Sequence, residues 1–250
     1  MLEVEDISIA FGGIRAVDGI SFSVERGDVF SIIGPNGAGK TSVFNLVSRV
    51  YPLRGGRVRF EDRDISRLAP HAIARIGIAR TFQNIKLFDN ASVLDNLMLG
   101  RYSHNRVGLA GQCLFLPAAR RQVLADRARV EEVIEFLELE RVRDKPAGGL
   151  PYGVRKVIEL GRALLTEPRL LLLDEPSSGL SPEERHEMIF WIQDIHRKLG
   201  ITLLIIEHDM NLVSAVSNRV LAMNHGAVLA TGTPREVQAH PAVITAYLGT

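Results

Sequence analysis

The order of apolar and polar positions along this chain predicts strands first and then alternating strands and helices. Apolar residues alternate with polar ones along 2–9 and again along 20–24, as in half-buried strands. The run Val29–Ile33 is almost entirely apolar, which favours a strand buried on both faces. A helix is expected from about Lys40 to Arg49, because Pro52 and two glycines follow it and such residues end helices. Val58 with Phe60 indicates one more short strand.

The middle of the chain has a different pattern, in which strand signals are scarce and helical periodicity dominates from about Val93 to Leu139. The clearest helix is 118–140, whose charged residues surround one apolar stripe: Val123, Val130, Val133, Ile134 and Leu137. After Gly161, apolar segments return at 170–173, 203–206 and 220–223, separated by helical patterns, which indicates parallel strands with crossover helices. We therefore predict an α/β domain over 1–250, with an antiparallel β region at its N-terminus and a helical subdomain at 85–160 inserted into it.

Composition narrows the classes of protein. The chain has 250 residues, of which 46% are hydrophobic and 24% are charged, so it can bury a large core. Its net charge of +1 gives no reason to expect that it binds nucleic acid. The chain has a single cysteine, Cys113, so it cannot form a disulfide within one chain. An acidic N-terminus does not resemble a signal peptide. The longest apolar runs fall far short of the roughly 18–20 residues that cross a bilayer, so we expect any membrane role to depend on partners.

One segment matches the phosphate-binding pattern G-x-x-x-x-G-K-[ST]. It consists of Gly34, Pro35, Asn36, Gly37, Ala38, Gly39, Lys40 and Thr41. Glycines let successive backbone N–H groups point at phosphate oxygens, and a helix N-terminus adds positive potential there. Lys40 is expected to reach the β- and γ-phosphates and Thr41 a Mg²⁺ ion. A chance glycine-rich turn is the alternative, but the flanking strand and helix favour a site for a nucleoside triphosphate.

Two carboxylates follow the buried strand 170–173. In a P-loop fold this strand ends beside the phosphates, where Asp174 can help to hold Mg²⁺ and Glu175 can face the attacking water as general base. The alternative is that both residues only cap the next helix. The strand 203–206 likewise ends near His208, whose ring could bond to the γ-phosphate. A histidine at a strand end is by itself more often structural, so its assignment depends on the other two motifs.

Taken in this order, these motifs resemble the nucleotide-binding subunits of ABC transporters over essentially the whole chain. The resemblance places Phe11 against the adenine ring, a stacking contact that needs a flat π face. It implies that Gln83, in the sequence Thr81-Phe82-Gln83, reaches Mg²⁺ and the attacking water. It makes His208 the switch histidine, and it makes 178–181 the loop that links two ATP sites across a dimer.

The signature sequence of that family, usually L-S-G-G-Q, is altered in this chain. The matching position has Leu150, Pro151, Tyr152, Gly153 and Val154, so only the leucine and Gly153 are kept. Proline offers neither a hydroxyl nor an N–H group. In the family this loop closes on the γ-phosphate held by the partner, so the partner's site loses a donor that is typically worth about 1–3 kcal/mol.

Finer resemblance points to the LivG-type ATPases of branched-chain amino acid importers. The segments 79–88, 150–153, 206–210 and 241–249 carry it. It implies two membrane permeases, a second LivF-type ATPase or a self-dimer, a periplasmic binding protein as an indirect partner, and a peripheral place on the cytoplasmic face of the inner membrane. An apolar surface near Leu87, Phe88, Val93 and Leu97 could grip a permease, or these side chains could pack inside the helical lobe.

Other functions stay open at this level. One alternative is a soluble ABC ATPase in DNA repair or translation, although such proteins usually carry tandem cassettes or long coiled coils, and this chain has neither. A second is a structural subunit that binds ATP without hydrolysing it, against which the predicted catalytic residues argue. Export, or import of urea or amides, would need different partners that this chain does not encode.

Overall fold

The computed structural model describes residues 1–82, 85–104 and 117–248. Gln83 and Cys113 therefore lie outside the described residues. The chain divides into two compact units, one formed by Met1–Gln83 with Arg169–Thr250 and the other by Asn84–Pro168. The bounds 85–160 predicted above for a helical subdomain stay a prediction.

Both sheets belong to the first unit. Their strands are β1 (Leu2–Phe11), β2 (Ile14–Val24), β3 (Val29–Ile33), β4 (Arg57–Phe60), β5 (Arg63–Asp64), β6 (Ile78–Arg80), β7 (Leu170–Asp174), β8 (Thr202–Ile206), β9 (Arg219–Asn224) and β10 (Ala227–Gly232). The first sheet has the order β2-β1-β4-β5 and is antiparallel throughout. The second has the order β10-β9-β3-β8-β7-β6, and only its β10-β9 pair is antiparallel. The predicted N-terminal antiparallel region and the parallel core are thus confirmed.

The helices follow in chain order. They are α1 (Lys40–Val47), α2 (Pro70–Arg75), α3 (Val93–Met98), α4 (Pro117–Phe136), α5 (Tyr152–Leu164), α6 (Pro182–Leu199), α7 (Met210–Val216), α8 (Pro234–Gln238) and α9 (Pro241–Leu248). Helices α3 to α5 form the second unit together with short 3₁₀ turns. The others belong to the first unit.

The core of the first unit lies on the parallel sheet. Every residue of β3, β7 and β8 is buried, and each large apolar side chain removed from water stabilises the fold by about 1.5–3 kcal/mol. Because β3, β8 and β7 are neighbours and run in parallel, the segments that follow them emerge at one edge. Asp174 pairs in register with Ile206, so the end of β7 lies beside the end of β8. Open α/β sheets bind ligands at this edge.

The second unit is held together by close contacts among its helices. A Cβ atom on Gly161 in α5 would lie 2.9 Å from methyl carbons of Leu97 and of Leu137, so glycine allows these helices to approach. Val93 and Leu97 of α3 are fully buried, whereas the Phe88 side chain is exposed. The suggestion that Val93 and Leu97 form part of an apolar surface for a permease is therefore wrong, because both side chains pack inside the unit.

Two predicted helix ends are corrected by the backbone. Arg49 has φ +61° and Glu138 has φ +56°, and a left-handed residue ends an α-helix. Helix α1 therefore ends at Val47, and α4 ends at Phe136 instead of reaching Glu140. Val123, assigned to the buried stripe of α4, is exposed. Strands β5, β6 and β10 were not predicted, because two of them are only two or three residues long and β10 is a partly exposed edge strand.

Candidate nucleotide-binding site

The phosphate loop joins β3 to α1, and two of its glycines are required by the backbone around them. Gly34 has φ +153°, and a Cβ there would lie 2.1 Å from the carbonyl oxygen of Met223. Gly39 has φ +98°, and its Cβ would lie 2.0 Å from the carbonyl oxygen of Ala16. Both glycines allow β2 and β9 to support the loop directly. Apart from its own chain neighbours, no atom of the described residues lies within 4 Å of a Cβ built on Gly37, so this side of the loop has room for a ligand.

Lys40 is buried at the first position of α1 and its ammonium lies inside the loop. Nζ donates to the carbonyl oxygen of Gly34 at 2.7 Å and to that of Pro35 at 3.0 Å. An ammonium can donate three bonds, so a further one can go to a phosphate oxygen. Burial lowers the pKa of Lys40, and the negative charges of Glu175, Asp174 and Glu207 oppose that shift. Thr41, the next residue, is partly buried in the same helical turn.

The predicted carboxylates occupy the end of β7. Asp174 is buried, and its Oδ2 accepts a bond from Arg80 Nη2 at 2.7 Å. Its Oδ1 is also buried and has no hydrogen-bond partner among the described residues. A buried carboxylate oxygen is costly to leave unpaired. This oxygen is therefore where the site has capacity for a cation or a water.

Glu175 follows in a left-handed conformation, with φ +49°. Its N–H donates to the carbonyl oxygen of Ile206 at 2.9 Å, which ties the turn to β8. A non-glycine residue in this region is strained by about 1–3 kcal/mol, and such strain gathers at functional sites. The alternative that Asp174 and Glu175 cap the next helix is wrong, because Ser181 caps α6 and its hydroxyl accepts the N–H of Glu184 at 3.2 Å.

Glu207 was not assigned a role from the sequence, yet it organises the loops after β7 and β8. Its side chain is fully buried. Oε1 accepts the N–H of Ser177 at 2.8 Å, and Oε2 accepts those of His208 at 2.9 Å and Asp209 at 3.2 Å. One carboxylate thus holds the segment after Glu175 and the segment of His208 together. A charged residue directly after the apolar run 203–206 was the signal that could have identified it.

His208 lies at the start of the loop after β8, with about half of its side chain exposed and Nδ1 3.8 Å from Glu207 Oε2. Asp209 caps α7, where its Oδ1 accepts the N–H groups of Asn211 and Leu212. Burial acts to raise the pKa of Asp209, but these N–H groups and the Arg185 guanidinium outweigh it and hold this pKa below its usual value. The cap keeps the backbone next to His208 in a fixed conformation.

The remaining predicted residues lie on other elements or outside the described residues. Phe11 ends β1 and is about half exposed, with its ring 5.3 Å from the Tyr51 ring in an edge-to-face contact. Gly153 lies in the second unit, buried in the first turn of α5. That helix begins after Pro151, which provides no side-chain cap. The predicted contacts of Gln83 concern a residue outside the described part, and the roles of all these residues stay predictions.

None of the helices in 1–82, 85–104 and 117–248 is both long and apolar enough to cross a membrane. Within the same residues, no group of three or more His, Cys, Asp or Glu side chains is placed to hold a metal ion.

Comparison with known proteins supports the fold. The family model described as "ABC transporter" matches residues 17–178, which include the phosphate loop and both carboxylates. A second model, "Branched-chain amino acid ATP-binding cassette transporter", matches residues 227–250. Among solved structures, a nucleotide-free ATP-binding cassette from an ABC transporter is similar with a TM-score of 0.87 and 33% identity, covering 100% of this chain and 99% of that one. The predicted cassette fold is therefore confirmed.

Curated relatives are similar from end to end. The high-affinity branched-chain amino acid transport ATP-binding protein BraF of Pseudomonas aeruginosa is 40% identical, over 100% of this chain and 98% of that protein. The protein of the same description named LivG, from Salmonella typhimurium, is 38% identical over the same shares of both chains. These identities extend through both units and the C-terminal segment.

Proposed function

This chain belongs to the ABC transporter family of ATP-binding cassettes, and on that basis we propose that it is the ATP-hydrolysing subunit of an importer for branched-chain amino acids. One observation carries the catalytic part of the proposal. The ends of β3, β7 and β8 bring Lys40, the Asp174–Glu175 pair and His208 to one edge of the sheet. The cargo is inferred from BraF and LivG and from the C-terminal family match.

The residues at this edge fit Mg²⁺–ATP. Oδ1 of Asp174 is a buried carboxylate oxygen that has no partner in the described residues, and carboxylates with hydroxyls are ligands that Mg²⁺ accepts. Thr41 and Gln83 would complete the protein's share of the ligands. Bound Mg²⁺ would neutralise charge that develops on the phosphates. Lys40 would direct its remaining N–H to a phosphate oxygen, in addition to its two bonds inside the loop.

Two side chains would handle the attacking water. Glu175 would accept its proton as general base, and its left-handed backbone lies directly after the end of β7. His208, half exposed, would hydrogen-bond to the γ-phosphate or to the same water. Glu207 would hold both loops at a fixed separation through its bonds to Ser177 and His208. Phe11 would stack on the adenine ring.

The assembly part of the proposal concerns partners. Two cassettes would face each other so that each ATP lies between the phosphate loop of one and the Gly153 region of the other. ATP would then stabilise the closed dimer, because it binds that state best. The partner cassette would be a LivF-type ATPase or a second copy, on two permeases at the cytoplasmic face of the membrane, with a periplasmic binding protein acting indirectly.

The catalytic part is tested with purified protein by phosphate release and by binding of a fluorescent ATP analogue. Glu175→Gln should bind the analogue with unchanged affinity and lose turnover by about 10²–10⁴-fold, the range for a positioned general base. Glu187→Gln on α6 is the matched control and should keep full turnover. If Glu175→Gln hydrolyses ATP at the wild-type rate, the assignment of the base is wrong.

The transport part is tested separately by isolating the tagged subunit from native membranes and identifying the copurifying proteins. Two permeases and a second ATPase are the expected result. Ribosomal or DNA-repair proteins in their place would refute import while leaving the ATPase site intact. If the recovered permeases are reconstituted and carry urea or amides instead of branched-chain amino acids, only the cargo is wrong.

A further inference from the structure

Arg80, at the end of β6, is a buried guanidinium that reaches two neighbouring elements. Its Nη2 donates to Oδ2 of Asp174 on β7 at 2.7 Å. Its Nη1 donates to Oδ1 of Asn45 at 2.7 Å and to Oγ of Ser48 at 2.9 Å, at the end of α1. Only about a tenth or less of either charged side chain is exposed. One side chain therefore connects the edge strand β6, the strand β7 that ends in Asp174, and the helix that follows the phosphate loop.

The guanidinium is also held by aromatic rings. Its central carbon lies 5.5 Å from the ring centroid of Phe44 and 5.3 Å from that of Phe82. Arginine stacks on aromatic faces and donates from a rigid planar fork, so these contacts restrict both its position and its plane. Its Nε has no hydrogen-bond partner among the described residues. The two Nη groups of Arg80 are directed to Asp174 and to the end of α1.

Two of the elements joined in this way carry magnesium ligands proposed above. Thr41 is in α1, and Asp174 ends β7. We propose that Arg80 is a positioning residue for the magnesium site. Its guanidinium holds one oxygen of Asp174 so that the other oxygen faces the ion. This inference rests on the nucleotide site of the proposed function. It assigns a role to a residue that does not itself touch nucleotide or metal.

Charge and geometry predict opposite effects when Arg80 is removed. Without the guanidinium, Asp174 keeps its full negative charge, and electrostatics alone would strengthen the attraction for Mg²⁺. Without the guanidinium, Asp174 also loses the bond that sets its side-chain orientation. Removing an outer partner of a metal ligand typically weakens metal binding by about 10–100-fold. The proposal therefore requires that the lost orientation of Asp174 weakens Mg²⁺ binding more than the removed positive charge strengthens it.

The test uses the full-length chain and measures the affinity of a fluorescent ATP analogue, first in EDTA and then across a Mg²⁺ titration. For Arg80→Gln we expect the half-maximal Mg²⁺ concentration to rise by about 10–100-fold, with the EDTA affinity unchanged. Arg80→Lys keeps the charge but not the fork, and should shift in the same direction by a smaller factor. Arg169→Gln is the control, because Arg169 precedes β7 at its opposite end, where it pairs with Glu61.

Each outcome decides between the hypotheses. An unchanged or lower Mg²⁺ requirement in folded Arg80→Gln would refute positioning, as would an equal loss of affinity in EDTA, which indicates general damage. If Arg80→Gln does not fold, Arg80→Lys decides by the same criteria. If the wild-type chain binds the analogue without any dependence on Mg²⁺, the magnesium site of the proposed function fails, and this inference fails with it.

Discussion

Replacing Glu207 by glutamine tests whether this carboxylate holds the two catalytic loops together. The change keeps the size of the side chain and removes its charge and one acceptor oxygen. Three backbone N–H groups, those of Ser177, His208 and Asp209, donate to the carboxylate in the wild-type structure. A glutamine amide has one oxygen and one NH₂ group. At least one of the three N–H groups must therefore face another donor.

The size of the effect follows from burial. Glu207 has no exposed surface, so water cannot replace the lost acceptor. A buried donor left without a partner costs about 1–3 kcal/mol. We expect the free energy of unfolding of the first unit to fall by about 2 kcal/mol, a factor of about 30 in its folded-to-unfolded ratio. Turnover should fall too, because Ser177 and His208 flank the proposed catalytic groups.

The assay is urea unfolding at pH 7 followed by the fluorescence of Trp191. This residue is the only tryptophan in the chain and lies buried on α6, so its signal reports on the first unit. The matched control is Glu236→Gln. Glu236 also accepts a backbone N–H, that of Thr233 at 2.8 Å, but it is exposed. We expect the control to lose less than about 1 kcal/mol.

A result in which both variants lose the same small amount of stability would refute the reasoning. It would mean that the bonds to Glu207 contribute no more than those of an exposed helix cap. Loss of turnover with unchanged unfolding would instead mean that Glu207 acts through its charge and does not hold the loops.

Three other perturbations test separate parts of the site. Gly39→Ala should abolish binding of a fluorescent ATP analogue, because the new Cβ would lie 2.0 Å from the carbonyl oxygen of Ala16 in β2. Gly37→Ala should cost only the strain of a left-handed alanine, about 1–2 kcal/mol. Equal effects of the two substitutions would contradict the role of the β2 contact. Phe11→Ala should weaken ATP binding by about tenfold, from a stacking energy of about 1–3 kcal/mol, and leave the affinity for inorganic tripolyphosphate unchanged. Pro151→Ser should change the free energy of unfolding by less than about 1 kcal/mol, because the new serine cap offsets the lost rigidity of proline. The serine hydroxyl should raise turnover by about tenfold. Unchanged turnover would show that the loop does not need this donor.

Much of the fold could be predicted because local sequence and tertiary structure agree there. Strands β3, β7 and β8 are apolar at nearly every position, and each is buried throughout. Strand β6 could not be predicted in this way. It has only three residues and ends in a charged one, and it forms because β7 pairs with it. The early end of α4 also depends on one left-handed residue, Glu138, which the periodicity does not show.

The sequence by itself determined the phosphate loop, the carboxylates after β7 and the histidine after β8, because each depends on residue types at fixed short spacing. Only the tertiary structure decided what surrounds them. It placed Arg80 against Asp174, 94 positions apart in the chain, and Glu207 against Ser177, 30 positions apart. Such pairs form when strands distant in sequence become neighbours in a sheet, and no local pattern encodes that pairing. The physical reason is that a buried charge is stable only with partners, and the fold alone brings those partners within reach.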